Sequence, residues 1–160
     1  MSVAVRPMQL PDARSFLEIQ AASVRGLAAK DYPVTVIDAW ASPTTDQAVE
    51  RFLQNPDHEI RLIAEIDKWP VGIGAIVVAN CELRACYVTP AAARRGVGTA
   101  IVSEIEQIAR EYQLDHLQLD ASVTAERFYS ALGYQVESRR QFVLREGLPM
   151  AAVQMRKILK

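Results

Sequence analysis

A chain of 160 residues, half of them apolar, is long enough for one domain that buries about 70% of its unfolded surface. Its formal net charge of −1 argues against a nucleic-acid or membrane surface as partner. No apolar run reaches the roughly 18 residues of a membrane span, and no charged-then-apolar leader opens the chain, so a cytoplasmic protein is expected.

In chain order, Val3-Ala4-Val5-Arg6 reads as a short strand. Leu10-Pro11-Asp12 opens a helix whose apolar stripe is Ala13, Phe16, Leu17, Ala21, Val24 and Ala28. Pro33 and Pro43 bracket a brief helical stretch at Ile37-Asp38-Ala39-Trp40. Thr44 or Thr45 caps a further helix to about Leu53, which Asn55-Pro56-Asp57 ends. Alternation from Ile60 to Ile66 predicts a strand, and Asp67-Lys68-Trp69-Pro70 turns the chain into an apolar strand from Val71 to Val78. Glu82 to Val88 is the next strand. Cys81 and Cys86 flank or lie on it, too far apart for a disulfide at about 3.3 Å per residue. With His58 and His116 distant in sequence, no metal set forms, and reduced thiols are expected.

The loop after that strand, Ala93-Arg94-Arg95-Gly96-Val97-Gly98-Thr99, leads into a well-marked helix. Val97, Ile101, Ile105, Ile108 and Tyr112 form its apolar stripe, while Glu104, Glu106, Gln107, Arg110 and Glu111 fill the other face. A first helical turn offers unpartnered N–H groups and partial positive charge; Gly96 and Gly98 let an anion approach, and Arg94 and Arg95 add full charge. A phosphate fits such a loop. Neither a Gly-Lys-Ser/Thr phosphate loop nor a dinucleotide glycine pattern is present, and the loop alone is equally consistent with a glycine-eased helix start.

Leu117 to Asp120 predicts a strand, Thr124 to Leu132 a helix stopped by Gly133, and strands near 135–144 and 150–156 close the chain around a turn at Glu146-Gly147. The succession is that of a mixed α/β domain.

Two segments carry a family resemblance. Arg94-Arg95-Gly96-Val97-Gly98 follows the pattern Gln/Arg-x-x-Gly-x-Gly/Ala from Ala93 onward, with Ala93 in place of the usual Gln or Arg. Ala125, Phe128, Tyr129, Gly133 and Tyr134 match a second signature, Ala-x-x-Phe-Tyr-x-x-x-Gly-Phe/Tyr. Both stand in the right order, and over residues 3 to 157 the chain resembles the GNAT superfamily of acyl-CoA-dependent N-acyltransferases.

The resemblance implies one N-acetyltransferase domain over residues 1–160, built on a mixed, mostly antiparallel sheet of about seven strands, splayed at strands 4 and 5, with helices on both faces. It implies acetyl-CoA as acyl donor, no metal, and direct attack by a primary amine in a ternary complex, as a monomer or homodimer. Cofactor contacts fall on Cys86, Tyr87, Val88, Arg94, Arg95, Gly96, Val97, Gly98, Thr99, Ser122, Ala125 and Phe128. The backbones of Cys86, Tyr87 and Val88 pair with the pantetheine arm, and the Cys86 amide faces the thioester oxygen. No histidine neighbours Cys86 in sequence, so its side chain reads as a strand residue and not a nucleophile.

Tyr129 stands where the family keeps a general acid, its phenol near enough in pKa to a thiol for easy proton transfer, although an aromatic helix face also accounts for it. Glu82 has the spacing of a catalytic glutamate, its pKa raised if it floors a cleft; ordered water is the alternative base. Ser122 takes the place of a common asparagine and either bonds the pantetheine or caps the following helix, and Asp120 anchors its strand end. Tyr32, Trp40, Tyr87 and Phe142 are candidate walls of the amine pocket, with Asp31 and Asp38 nearby to draw a cation; a small-molecule amine is favoured over a protein tail. A coenzyme A sensor without turnover is the rival reading, resting on Ala93 and the missing asparagine.

Overall fold

The computed structural model describes residues 2–144 and 147–160. Its seven strands are β1 (Val3–Pro7), β2 (Ile60–Ile66), β3 (Trp69–Val77), β4 (Glu82–Val88), β5 (His116–Ser122), β6 (Gln135–Val143) and β7 (Pro149–Ile158). They join one sheet in the order β1-β2-β3-β4-β5-β7-β6, antiparallel throughout except between β4 and β5. Glu146 of the expected last turn lies outside the described residues.

Asp67 and Lys68 both adopt left-handed φ, at 52° and 68°, which makes a two-residue turn whose twist matches the flanking strands. Trp69 and Pro70 therefore belong to β3, opposite Ile66 and Glu65, and not to the turn.

Among the described residues five α-helices cover the sheet: α1 (Ala13–Ser23), α2 (Val34–Trp40), α3 (Asp46–Gln54), α4 (Val97–Glu111) and α5 (Glu126–Ala131). Strand alternation splits β2 between two cores. Leu62, Ala64 and Ile66 pack with Val97, Ile101 and Ile105 of α4, whereas Ile63 faces Phe16 and Ile19 of α1. Thr45 caps α3, accepting from the Ala48 N–H at 3.1 Å.

Three local expectations change. The helix begun at Leu10 runs on past α1 as a π turn over Val24–Ala28, packed so tightly on Pro90 that a Cβ at Gly26 would lie 2.3 Å from its Cγ. Tyr112 ends α4 exposed, because it lies one residue beyond the helix and outside the buried stripe. Glu106, expected toward solvent, is buried, because Tyr134 Oη and Lys157 Nζ reach its carboxylate at 2.9 and 3.0 Å. Two bonded partners compensate the loss of water.

Candidate active site

The site is made by two strands that part. β4 and β5 are joined only where they begin: Glu82 pairs with Gln118, and the Gln118 N–H donates to Cys81 O at 2.8 Å. The register between β3 and β4 then skips Arg84, a bulge of the kind that bends a strand and re-aims its edge. At the far end the Thr89 N–H donates to Val71 O at 2.8 Å. Backbone direction alternates along a strand, so Ala85 and Tyr87 also face β3, their carbonyls lying against Gly74 and Gly72. Cys86 and Val88 thus turn their N–H and C=O groups toward β5, where no strand takes them.

Into this gap opens a cavity of about 350 Å³. Of the residues expected at the cofactor, Cys86, Tyr87, Val88, Arg94, Gly96, Val97, Gly98, Thr99, Ser122, Ala125 and Phe128 all line it; exposed Arg95 does not. The π turn supplies Val24, Leu27 and Ala28 as the opposite wall, which no sequence pattern announced. Gly96 caps α4 with φ of 79° and no side-chain bond, leaving the first amides of the helix bare, and a Cβ there would meet open space. Gly98 has a different reason for being bare: the Phe128 ring occupies the position a Cβ would take.

The Cys86 thiol points to Gly98 O at 3.8 Å, and burial pushes its pKa up to about 12, which favours the protonated thiol. Ser122 caps the next turn, accepting from the Ala125 N–H at 3.2 Å, while still lining the cavity. Tyr129 lies behind that lining, 6% exposed, with ring centres 5.0 Å from Phe128 and 5.7 Å from Tyr134. Burial first, then nearby Cys86 and Tyr87, hold its phenol well above the ordinary value. The easy match between phenol and thiol therefore does not hold in this setting: Tyr129 is a firmly protonated hydroxyl, without a hydrogen-bond partner among the described residues.

A second cavity of about 360 Å³ lies on the α2 side of the gap and shares Trp40, Tyr87 and Ser122 with the first. Phe142, Leu144 and Met150 wall it, and Glu82, Arg84 and Asp120 bring charge to it. Trp40, Tyr87 and Phe142, named as candidate walls of an amine pocket, line this cavity. Tyr32 does not: its buried hydroxyl donates to Ala151 O of β7 at 2.7 Å and accepts from the Val123 N–H, just after β5, at 2.8 Å. Asp31 and Asp38 are also engaged, by Thr124 at 2.7 Å and Arg25 at 3.0 Å.

Glu82 does not sit as a desolvated carboxylate. Arg84, two residues on and on the same side of the strand, donates to both of its oxygens, at 2.8 and 3.0 Å. The bonds to Glu82 raise the Arg84 pKa against the opposing effect of burial, and Asp57 adds to the rise. The Glu-x-Arg spacing on a strand was a readable sign of the pairing. Asp120 accepts from Arg140 Nη2 at 2.6 Å through Oδ2.

A sheet of this order with a cleft where its parallel pair separates defines an acetyltransferase fold, and residues 28–159 match the family model of the acetyltransferase (GNAT) domain. The chain belongs to the GNAT family of acetyltransferases. It is similar to the uncharacterized protein YyaT of Bacillus subtilis (strain 168), 37% identical over 83 residues, which are 50% of this chain and 54% of that protein. The match spans about half the length of that curated relative. Over 99% of this chain and 96% of the other, the structure is similar to a GCN5-related N-acetyltransferase from Rhodopseudomonas palustris, with a TM-score of 0.90 and 29% identity. The fold alone is shared with the paia N-acetyltransferase of Thermoplasma acidophilum, solved in complex with coenzyme A, at a TM-score of 0.77 and 18% identity over 99% of both chains. Among the described residues no helix is long and apolar enough to cross a membrane.

Proposed function

We propose that residues 1–160 form one N-acetyltransferase domain that transfers an acetyl group from acetyl-CoA to the primary amine of a small molecule. The observation that carries this reading is the free main-chain edge of Cys86 and Val88 leading to the bare amides of α4. An extended pantetheine arm pairs with such an edge as an added strand would, and a diphosphate suits amides at a helix start. Arg94, in left-handed conformation at the cavity, stands in for the side chain that Ala93 lacks.

The donor supplies an activated carbonyl and a thiolate leaving group. The Cys86 amide stabilises charge developing on the carbonyl oxygen. The ammonium of the acceptor first loses one proton to water at the Glu82 end of the second cavity, because Arg84 already occupies the Glu82 oxygens. The nitrogen lone pair then forms the C–N bond and the C–S bond breaks, its electron pair leaving on sulfur. The Tyr129 hydroxyl donates its proton to that sulfur and is reprotonated by the second proton leaving nitrogen. A thiol as buried and protonated as Cys86 favours direct attack over an acyl-enzyme. Two free cysteines suit a cytoplasmic setting, and the protein acts as a monomer or homodimer.

Titration calorimetry with coenzyme A, followed by thiol release from acetyl-CoA across an amine panel, tests the reading. Heat of binding and amine-dependent thiol release are expected; no binding removes it. Ala93 and Ser122, at positions where the family keeps longer polar side chains, favour one rival, a coenzyme A sensor. Binding without turnover on any amine would select that rival.

A further inference from the structure

The second cavity carries a statement about which amine the protein takes, and it rests on the acetyltransferase reading above. Its charges are nearly balanced internally. Both Glu82 oxygens are bonded by Arg84. Asp120, a second carboxylate on this cavity, gives only Oδ2 to Arg140, and no group among the described residues donates to its Oδ1. Trp40, Phe142 and Met150 give the same cavity an apolar wall.

We infer that Asp120 Oδ1 anchors the ammonium of a monocationic amine whose body is a compact aryl or branched alkyl group held between Trp40 and Phe142. A single ammonium finds one free carboxylate oxygen and hydrogen-bonds it as a charged pair. A second ammonium, as in a polyamine, would have to lie against indole, phenyl and thioether surface, where its lost hydration has no replacement. The volume of about 360 Å³ falls in the range of small-molecule sites. Asp120 acts here as a binding group: it lines the second cavity two residues before Ser122, which belongs to both cavities.

The test compares 2-phenylethylamine with spermidine in thiol-release assays on the wild-type chain, Asp120→Asn and Arg140→Ala, with coenzyme A binding to each followed by calorimetry. The expected result is a kcat/KM at least about tenfold higher for 2-phenylethylamine. Asp120→Asn should raise KM for that amine about 10- to 100-fold with kcat largely kept. Arg140→Ala, which frees the second Asp120 oxygen, should lower KM, an effect that a purely structural role for the ion pair would not produce. Preference for spermidine, or an unchanged KM in both variants, overturns the inference. Coenzyme A binding without transfer to 2-phenylethylamine overturns it while leaving the cofactor site standing. Absence of coenzyme A binding overturns both.

Discussion

The Phe128 ring lies against the bare Cα of Gly98, so closely that an added Cβ would sit 2.9 Å from Phe128 Cζ. Both residues line the cleft, so this contact sets the distance between the start of α4 and the start of α5. Gly98→Ala must push the ring aside. Overpacking of this kind costs about 1–3 kcal/mol, partly offset by the roughly 1 kcal/mol that alanine gains over glycine in a helix. The expected outcome is a small fall in melting temperature and a larger loss of coenzyme A affinity, read by calorimetry.

Tyr129→Phe removes a hydroxyl with no bonded partner among the described residues and leaves the ring packing against Phe128 and Tyr134 intact. Stability and coenzyme A affinity should therefore stay near wild type. If the hydroxyl protonates the departing sulfur, kcat should fall about 10²- to 10⁴-fold. Steady-state kinetics beside a thermal melt check both halves; unchanged kcat would remove Tyr129 from the chemistry.

Cys86→Ala should keep most of the turnover. Burial pushes the thiol pKa up to about 12, which favours the protonated form at neutral pH. Intact-mass analysis after incubation with acetyl-CoA should show no acetyl adduct at Cys86 in the wild-type chain. A stable adduct there, or loss of turnover in the variant, would point to an acyl-enzyme.

Alkali should weaken the fold. Burial raises the phenol pKa of Tyr87, Tyr129 and Tyr134 above the ordinary value of about 10. Above that value the unfolded chain releases protons that the folded chain retains, so stability is complete below about pH 10 and declines as pH rises beyond it. Urea midpoints at about pH 8 and about pH 11 should show the decline, and Tyr134→Phe should make it shallower.

Glu106→Gln should destabilise by about 1–3 kcal/mol, because the carboxylate takes bonds from both Tyr134 and Lys157 in a buried position. Chemical denaturation measures it directly. The same variant should leave coenzyme A binding unchanged, since Glu106 lies away from the cleft lining.

Periodicity and turn chemistry determined most of the secondary structure. The alternation of Ile60 to Ile66 marked β2, the stripe from Val97 to Ile108 marked the α4 face, and Thr45 and Gly133 marked helix ends. These signals are local, so a few residues suffice to carry them. The loop around Gly96 and the Phe128-Tyr129 signature likewise identified the family before any coordinate, because each holds its pattern within one short segment.

Other facts depended on pairs far apart in the chain. Glu106 was legible only as a polar residue on a helix until Tyr134 and Lys157, 28 and 51 positions away, enclosed it. Tyr32 read as a pocket wall until its hydroxyl met Val123 and Ala151 across the gap. Asp120 read as the anchor of its strand end until Arg140 took one of its oxygens and a cavity opened beside the residue. Sequence decides which residues can be buried or bonded through backbone geometry a few residues wide. Which carboxylate ends up satisfied and which is left with a free oxygen depends on partners that only the folded chain brings within bonding distance.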